Sequence, residues 1–171
     1  MRPAFLLVAA ALAMLNGTAL GQTAADRGGA QQDRTFIEQA ALEGAALVRT
    51  AELAMARAND DRIRTFAQRL VEDQTPINQE IAILAGDTGI GLASTEPPPD
   101  AEPADLAGLK GAGFDRAWLG ETVAAHERLV ALFERQSAEG GDDRLRRFTA
   151  NHLPDFQQKL TIVRSLADEI R

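Results

Sequence analysis

Five polar side chains lie within the apolar stripes predicted for this chain. On a helical wheel, at about 100° per residue, each falls on the inward face of its segment. They are Glu43, Gln74, His126, His152 and, at the edge of its stripe, Lys159. Their spacing from the turns near Asn59 and Gly141 puts all five close to the same level, at a rise of ~1.5 Å per residue. Because burying a polar group unpaired costs about 1–3 kcal/mol, such groups must bond one another or hold a ligand.

Metal binding is one chemistry open to this set, through His126, His152 and Glu43 in a mononuclear or dinuclear site. A di-iron centre in a helical bundle uses about four carboxylates and two histidines, with Glu-x-x-His on two helices. That motif does not occur in this sequence, and Lys159 adds a repelling positive charge. The residues therefore favour a hydrogen-bonded polar core that includes Gln74 and Lys159. A weakly bound transition metal is the alternative.

The segment 114–133 organises the rest of the chain. Its sequence, FDRAWLGETVAAHERLVALF, predicts an amphipathic helix whose apolar stripe contains His126. We predict this third helix over about 114–138, ended by Gly140-Gly141. The first helix is predicted over about 34–58, because Thr35 and Glu38 form a capping box.

The second and fourth helices are predicted from their caps. Asp60-Asp61 and Asp142-Asp143 offer carboxylates to free amides at a helix start, and apolar residues at helical spacing follow each pair. Pro76 and Pro154 lie inside these helices and predict kinks, because proline cannot donate to the preceding turn. We expect the second helix to end near Ala85.

An internal repeat suggests how the helices are arranged. The sequence DDRIRTF at 60–66 returns as DDRLRRF at 142–148. The connection at about 87–113 is long and contains Pro97-Pro98-Pro99, which favours an extended polyproline II segment. Two similar helical hairpins joined by a long crossover predict an all-α, ferritin-like four-helix bundle over 34–171.

The first 33 residues differ in character from the bundle. Arg2 precedes an apolar run that ends with small residues at Ala19 and Gly21, which predicts a signal peptide over 1–21. About 13 apolar residues are short of the ~20 that span a bilayer, so a membrane anchor is the less favoured alternative. Residues 22–33 are polar and rich in Gly and Ala, and we expect a disordered leader there. These features predict a periplasmic or secreted protein without stable membrane insertion after cleavage.

Composition narrows the function further. The chain of 171 residues has no cysteine, which excludes disulfides, thiolate metal sites and a cysteine nucleophile. Its net charge of −7, or −8 once Arg2 is removed, argues against nucleic acid as a partner, because nucleic acid requires a cationic surface. No serine lies in a nucleophile-elbow sequence. An envelope protein or a small ligand is the expected partner, and catalysis is not expected.

Several segments together resemble the bacterial envelope proteins grouped as domain of unknown function 4142. They are FAQRLVED at 66–73, FDRAWL at 114–119 leading to His126 and VALF at 130–133, and Leu153-Pro154. The resemblance covers about 34–168. It implies a ferritin-like fold, a periplasmic or secreted location and no established activity.

The chain departs from that family's pattern at its polar centre. The resemblance implies histidines where this chain has Gln74 and Lys159, and a glutamate where Leu47 stands, with Glu43 one turn earlier. Of the inward histidines that the family typically has, His126 alone matches. If members of the family bind metal through that set, this chain is expected to have lost the ability.

Three functional hypotheses follow. The first is a non-enzymatic binding or structural protein of the cell envelope. The second is a weak metal-binding or oxidoreductase-like bundle that uses His126, His152 and Glu43. The third is binding of a small molecule between kinked helices, which predicts a sizeable apolar pocket beside Pro76 and Pro154.

Overall fold

Four helices make up most of the part of the chain that the structure describes. This computed structural model describes residues 17–92, 103 and 105–170. The helices are α1 (Gly17–Arg57), α2 (Asp61–Thr88), α3 (Gly111–Glu139) and α4 (Asp143–Glu169). No strand occurs in those ranges, so the predicted all-α four-helix bundle is confirmed. Nor is any of these four helices long and apolar enough to cross a membrane.

The helices pair as two antiparallel hairpins, α1–α2 and α3–α4, with α1 also packed against α3. Arg144, at the start of α4, lies 3.6 Å from Asp87 at the end of α2. Arg62, at the start of α2, lies 2.8 Å from Glu169 at the end of α4. The connection from α2 to α3 therefore runs from one end of the bundle to the other, as predicted for a crossover. The finer assignment to the ferritin-like class stays a prediction.

Short polar residues begin two of the helices. The Asp60 carboxylate accepts a hydrogen bond from the amide of Arg62 at 2.8 Å, and that of Asp142 accepts one from Arg144 at 2.7 Å. Both residues have the extended backbone of an N-cap, which confirms the predicted caps. Helices α2 and α4 continue through Pro76 and Pro154. The kinks expected there stay predictions.

The described part of the crossover contains two turns. Gly89 ends α2 with φ of 68°, a left-handed conformation that glycine adopts without steric cost. Further on, the carbonyl of Pro103 accepts hydrogen bonds from the amides of Leu106 and Ala107 at 2.9 and 3.1 Å. Leu106 is fully buried, so this turn fixes the end of the crossover to the core. The predicted polyproline segment at Pro97-Pro98-Pro99 lies outside the described residues.

Aromatic rings fill the core at the end of the bundle where the α3–α4 turn lies. The ring of Phe133 lies 5.2 Å from that of Phe36 and 4.6 Å from that of Phe156, between centroids. Towards the other end, the indole nitrogen of Trp118 donates to the carbonyl of Thr50 at 2.8 Å. Buried indole nitrogens need such a partner, and this bond joins α1 to α3.

Helix α1 begins well before the expected start. Residues 22–33, predicted to be a disordered leader, are helical, and the hydroxyl of Thr35 donates to Gln31 within the helix instead of capping it. Tertiary contacts account for the difference. A Cβ atom on Gly29 would come within 2.8 Å of the Cα of Gly141, so α1 packs directly on the α3–α4 turn. Residues 1–16 of the predicted signal peptide lie outside the described residues.

Each hairpin contains one buried aspartate that accepts hydrogen bonds from the turn of the other hairpin. Asp115 on α3 accepts hydrogen bonds from the amides of Asn59 and Asp60, at 2.9 and 3.0 Å. Asp33 on α1 accepts from the amides of Gly141 and Asp142, at 3.0 and 2.9 Å. We call these two arrangements the reciprocal clamps.

The clamps extend the internal repeat. Asp33 begins the sequence DRTFI and Asp115 begins DRAWL. These segments are separated along the chain by the same number of residues as the two DDR turns that they bind. The two hairpins are therefore related in sequence and also in the way each holds the other.

Candidate functional site

His126 is the most deeply buried of the predicted polar residues. Its side chain is fully enclosed, and its Nδ1 lies 2.8 Å from the carbonyl oxygen of Thr122, one turn earlier in α3. A carbonyl can only accept, so Nδ1 carries the proton and Nε2 carries the lone pair. Nε2 is buried and has no hydrogen-bond partner in the described part of the chain. Burial lowers the pKa of His126, and the positive charge of Lys159 lowers it further.

Glu43 is bonded to a cation at the seam between α1 and α3. The guanidinium of Arg128 donates to its two carboxylate oxygens at 3.0 and 3.1 Å, in the paired geometry typical of Arg–carboxylate contacts. Arg128 also donates to Glu121 at 3.2 Å. The carboxylate of Glu43, chiefly, raises the pKa of Arg128. With 25% of its side chain exposed, Glu43 belongs to a surface ion-pair group.

Gln74 is buried between α1 and α2. Its amide nitrogen donates to the side-chain oxygen of Asn78 at 2.9 Å, one turn later in α2. Gly44 on α1 lies directly against this pair, because a Cβ atom there would come within 3.0 Å of the Gln74 amide nitrogen. The polar pair thus occupies space that a larger residue at position 44 would take.

His152 and Lys159 face α2 from α4. The Nε2 atom of His152 lies 3.3 Å from a carboxylate oxygen of Glu80, and its ring packs 4.7 Å from that of Phe148. The ammonium of Lys159 lies 3.1 Å from a carboxylate oxygen of Asp73. Both side chains are bonded across the α2–α4 interface.

The predicted residues therefore do not form one polar cluster. Four of them bond to separate partners, and His126 keeps one free nitrogen. Within the described ranges, no group of three or more His, Asp or Glu side chains is placed to hold a metal ion. The partners Arg128, Asn78, Glu80 and Asp73 were not expected from the sequence. The constant spacing between acidic positions on α2 and basic positions on α4 could have indicated two of these pairs.

A groove between α2 and α4 is the main open feature that involves these residues. It consists of two adjoining cavities of about 480 and 520 Å³ that share Phe66, Arg69 and Ile162. The first cavity extends towards Arg62 and Glu169, and the second extends past Pro76 towards His152. We call these two cavities the α2–α4 groove.

The groove exists because α2 and α4 are not closely packed. The close helix pairs are α1–α2, α3–α4 and α1–α3, whereas α2 and α4 are joined by a row of polar contacts. These are the ion pairs Arg62–Glu169, Asp73–Lys159 and Asp87–Arg144 and the contact between Glu80 and His152. Long charged side chains can span the space between α2 and α4, whereas apolar side chains would have to bring the two helices closer to make contact.

The floor of the groove is apolar and its rim is charged. Phe66, Leu70 and Ile77 line it from α2, and Ile162 and Leu166 line it from α4. Ile162 keeps 44% of its surface exposed there. A pocket is present beside Pro76, but it is not the apolar one predicted, because charged residues line it together with the apolar ones, and Pro154 lines neither cavity.

The fold and this site define a four-helix bundle with a bonded polar interior and an open lateral groove. Its sequence places it more exactly: the chain belongs to the family described as domain of unknown function DUF4142, whose model matches residues 18–166. This confirms the resemblance seen in the sequence. No curated protein matches the chain.

Solved structures with the same fold include two forms of CopM. The Cu(II)-bound form is 15% identical, with a TM-score of 0.66 over 80% of this chain and 97% of CopM. The Ag-bound form is 17% identical, with a TM-score of 0.65 over 80% of this chain and 96% of CopM. At this identity the similarity establishes the fold.

Proposed function

We propose that this protein is a non-enzymatic binding protein of the cell envelope, and that its ligand is a small molecule held in the α2–α4 groove. The observation that carries the proposal is the groove itself, an apolar-floored space left open between α2 and α4. Ligand sites typically have volumes of ~300–1,000 Å³ and combine apolar walls with a few polar groups. The volumes of both cavities fall in that range.

The exposed apolar surface of Ile162 supports this reading. Single exposed apolar residues are common on protein surfaces, but Ile162 lies between two cavities that it lines together with Phe66. A ligand that covered Ile162 would remove apolar surface from water, which favours binding by roughly 25 cal/mol per Å².

Titration with Nile red, an uncharged apolar fluorophore, tests whether the groove binds an apolar small molecule. We expect saturable binding of one dye per chain, weakened at least tenfold in Ile162→Glu, because the new carboxylate would have to be desolvated beneath the dye. The matched control is Ile83→Glu, which adds the same charge at an isoleucine that is 64% exposed on α2 and lines neither cavity. Equal dye affinity in both variants, or no saturable binding by the unaltered protein, would contradict the proposal.

The envelope location is proposed from the predicted signal peptide. Cleavage after Gly21 would shorten α1 at its start and keep the packing of Gly29 and the clamp of Asp33. When the chain is expressed in a bacterium with a periplasm, we expect the periplasmic fraction to contain a protein whose mass corresponds to a start at Gln22. Recovery of the uncleaved chain from the cytoplasm alone would contradict this location.

Metal binding is the second candidate, favoured by the buried lone pair on Nε2 of His126. A neutral imidazole nitrogen is a common ligand for transition metals, and CopM has been solved in Cu(II)-bound and Ag-bound forms. Against it, Glu43 and His152 are each bonded to other partners.

Metal analysis of protein purified without a histidine tag separates the two candidates. We expect less than one equivalent of iron, manganese, zinc or copper per chain, unchanged in His126→Ala. A stoichiometric metal that disappears in His126→Ala, but not in His152→Ala, would replace groove binding with a metal or oxidoreductase-like function.

A further inference from the structure

We infer that the α2–α4 groove binds an anionic amphiphile, a molecule with one apolar chain and one carboxylate, and that Arg69 holds the carboxylate. The inference rests on the proposed function and specifies the class of ligand. Arg69 is exposed, lines both cavities and lies next to the apolar floor formed by Phe66 and Leu70.

The other charged residues of the first cavity are bonded within the protein. Arg62 donates to Asp60 and to Glu169 at 2.8 Å each, and Asp61 is bonded to Arg64. Arg69 has no ion-pair or hydrogen-bond partner within the described ranges. Its guanidinium is thus a positive charge available to a ligand in this cavity.

The second cavity favours the same orientation of the ligand. Asp73 is bonded to Lys159, whereas Asp155 lines this cavity without a bonded partner in the described part of the chain. A carboxylate placed deep in the second cavity would be repelled by Asp155 and by Glu72. The arrangement with the best charge complementarity puts the carboxylate at Arg69 and the apolar chain along Ile162 and Leu166 in the first cavity.

Guanidinium chemistry accounts for the choice of head group. The planar fork of Arg matches the two oxygens of a carboxylate and is weakly hydrated, so it binds such anions while adjoining an apolar surface. A ligand with the same apolar chain but a quaternary ammonium in place of the carboxylate would be repelled by Arg69. The net charge of −7 would attract that cation to the protein as a whole, so a preference for the anion would have a local cause.

Calorimetric titration with decanoate and decyltrimethylammonium, both below their micellar concentrations, tests the inference. We expect decanoate to bind with one site per chain, to displace Nile red, and to bind at least tenfold more tightly than the cation, a difference of ~1.4 kcal/mol or more. In Arg69→Gln the preference should disappear. The control Arg116→Gln removes the same charge on α3, away from both cavities, and should keep the preference.

The outcomes distinguish the inference of an anionic ligand from the proposal that the α2–α4 groove binds a small molecule. If Nile red binds the groove but decanoate does not displace it, or if the cation binds equally well, the anionic ligand is excluded and the groove remains a binding site. Equal decanoate affinity in Arg69→Gln and Arg116→Gln would likewise exclude Arg69 as the anchor. If neither Nile red nor decanoate binds, the groove function itself fails.

Discussion

At the scale of single residues, the unusual group is His126, a buried imidazole with one nitrogen that bonds to nothing in the described structure. Such a group is costly to enclose, by about 1–3 kcal/mol, and it is held neutral. Burial lowers its pKa below the ordinary value of 6.5. The consequence is a stability that depends on pH.

We expect the free energy of unfolding to fall as the pH drops below 6.5. The unfolded chain takes up a proton on His126 near pH 6.5 while the folded chain does not, because its folded pKa is lower. The stability is therefore complete above pH 6.5 and decreases until the pH reaches the folded pKa. In His126→Phe this decrease should disappear, and the stability at pH 7.5 should stay within about 1 kcal/mol, because a lost hydrogen bond and a removed unpaired nitrogen oppose each other. Urea unfolding at pH 7.5, 6.5 and 5.5 measures both effects.

Two controls isolate His126 in that experiment. His152→Gln removes the other histidine, which faces Glu80 across the groove, so a comparison of the two variants separates the two imidazoles. Asp60, whose pKa is lowered to about 2, loses its contribution only below about pH 4, which is outside this range. An equal pH dependence in the wild type and His126→Phe would show that another group titrates.

The inward positions of this interior were predictable at the residue scale, but its bonding was not. His126 and Gln74 are buried as their places on the helical wheel indicate. Glu43 and Lys159 are partly exposed instead, because a long side chain can carry its charge outward from an apolar stripe. The wheel gives the direction of a side chain and does not identify the residue that faces it. For that reason the pair with Arg128 could not be predicted, whereas the pair with Asp73 was indicated only by the equal spacing of acidic positions on α2 and basic positions on α4.

At the scale of elements, the beginning of α1 shows how packing overrides local composition. The polar, Gly-rich sequence of 22–33 predicts disorder, yet Asp33 and Gly29 are fixed by the α3–α4 turn. The ends of α2 and α3 lie within about three residues of those predicted, because caps and glycines are local signals. Contacts with Gly141, distant in sequence, leave no such signal.

Alanine substitution of two adjacent glycines tests this packing. Gly28→Ala should stabilise the protein by about 0.5–1 kcal/mol, the gain from replacing glycine within a helix, because a Cβ atom there meets nothing within 4 Å. Gly29→Ala should destabilise it by about 1–2 kcal/mol, because its Cβ would meet the backbone of Gly141 at 2.8 Å. Thermal unfolding measures both changes. Equal effects of the two substitutions would indicate that this part of α1 is not packed on the turn.

The clamp on the first turn gives a second prediction at this scale. Asp115→Ala removes the acceptor of two backbone amides and should cost about 2–4 kcal/mol, because hydrogen bonds to charged groups contribute ~1.5–3 kcal/mol each and partial solvation of the turn recovers some of the loss. The control Asp105→Ala alters an exposed aspartate and should change stability by less than about 0.5 kcal/mol. Urea unfolding of the two variants would show the difference, and a loss below 1 kcal/mol in Asp115→Ala would argue against the clamp.

At the scale of the whole molecule, the two hairpins are expected to unfold together. The turn of each is held by a residue of the other, and Trp118 on α3 bonds to Thr50 on α1. Neither turn can therefore open fully while the opposite hairpin stays in place. The repeat in the sequence indicated two similar hairpins, but the relation between them became visible only in three dimensions.

Hydrogen exchange measures this coupling directly. The amides of Asp60 and Gly141 should exchange at the slow rate set by global unfolding, although both lie in surface turns, because carboxylates across the bundle bind them. In Asp115→Ala the amide of Asp60 should exchange much faster. The exchange rate of the Gly141 amide should rise only as much as the lowered free energy of global unfolding requires. Rapid exchange at both amides in the unaltered protein would show that the hairpins open independently.

The reciprocal clamps have one more consequence, which concerns ancestry. A single helical hairpin with an aspartate near its start and a DDR turn between its helices contains both the acceptor and the donors of a clamp. Two identical copies could therefore bind each other, with the aspartate of each copy accepting hydrogen bonds from the turn of the other. Gene duplication and fusion of such a self-complementary unit would yield this chain directly. The later divergence of one half from the other, histidine at position 126 against glycine at the matching position 44, would then mark where the fused protein stopped being symmetric.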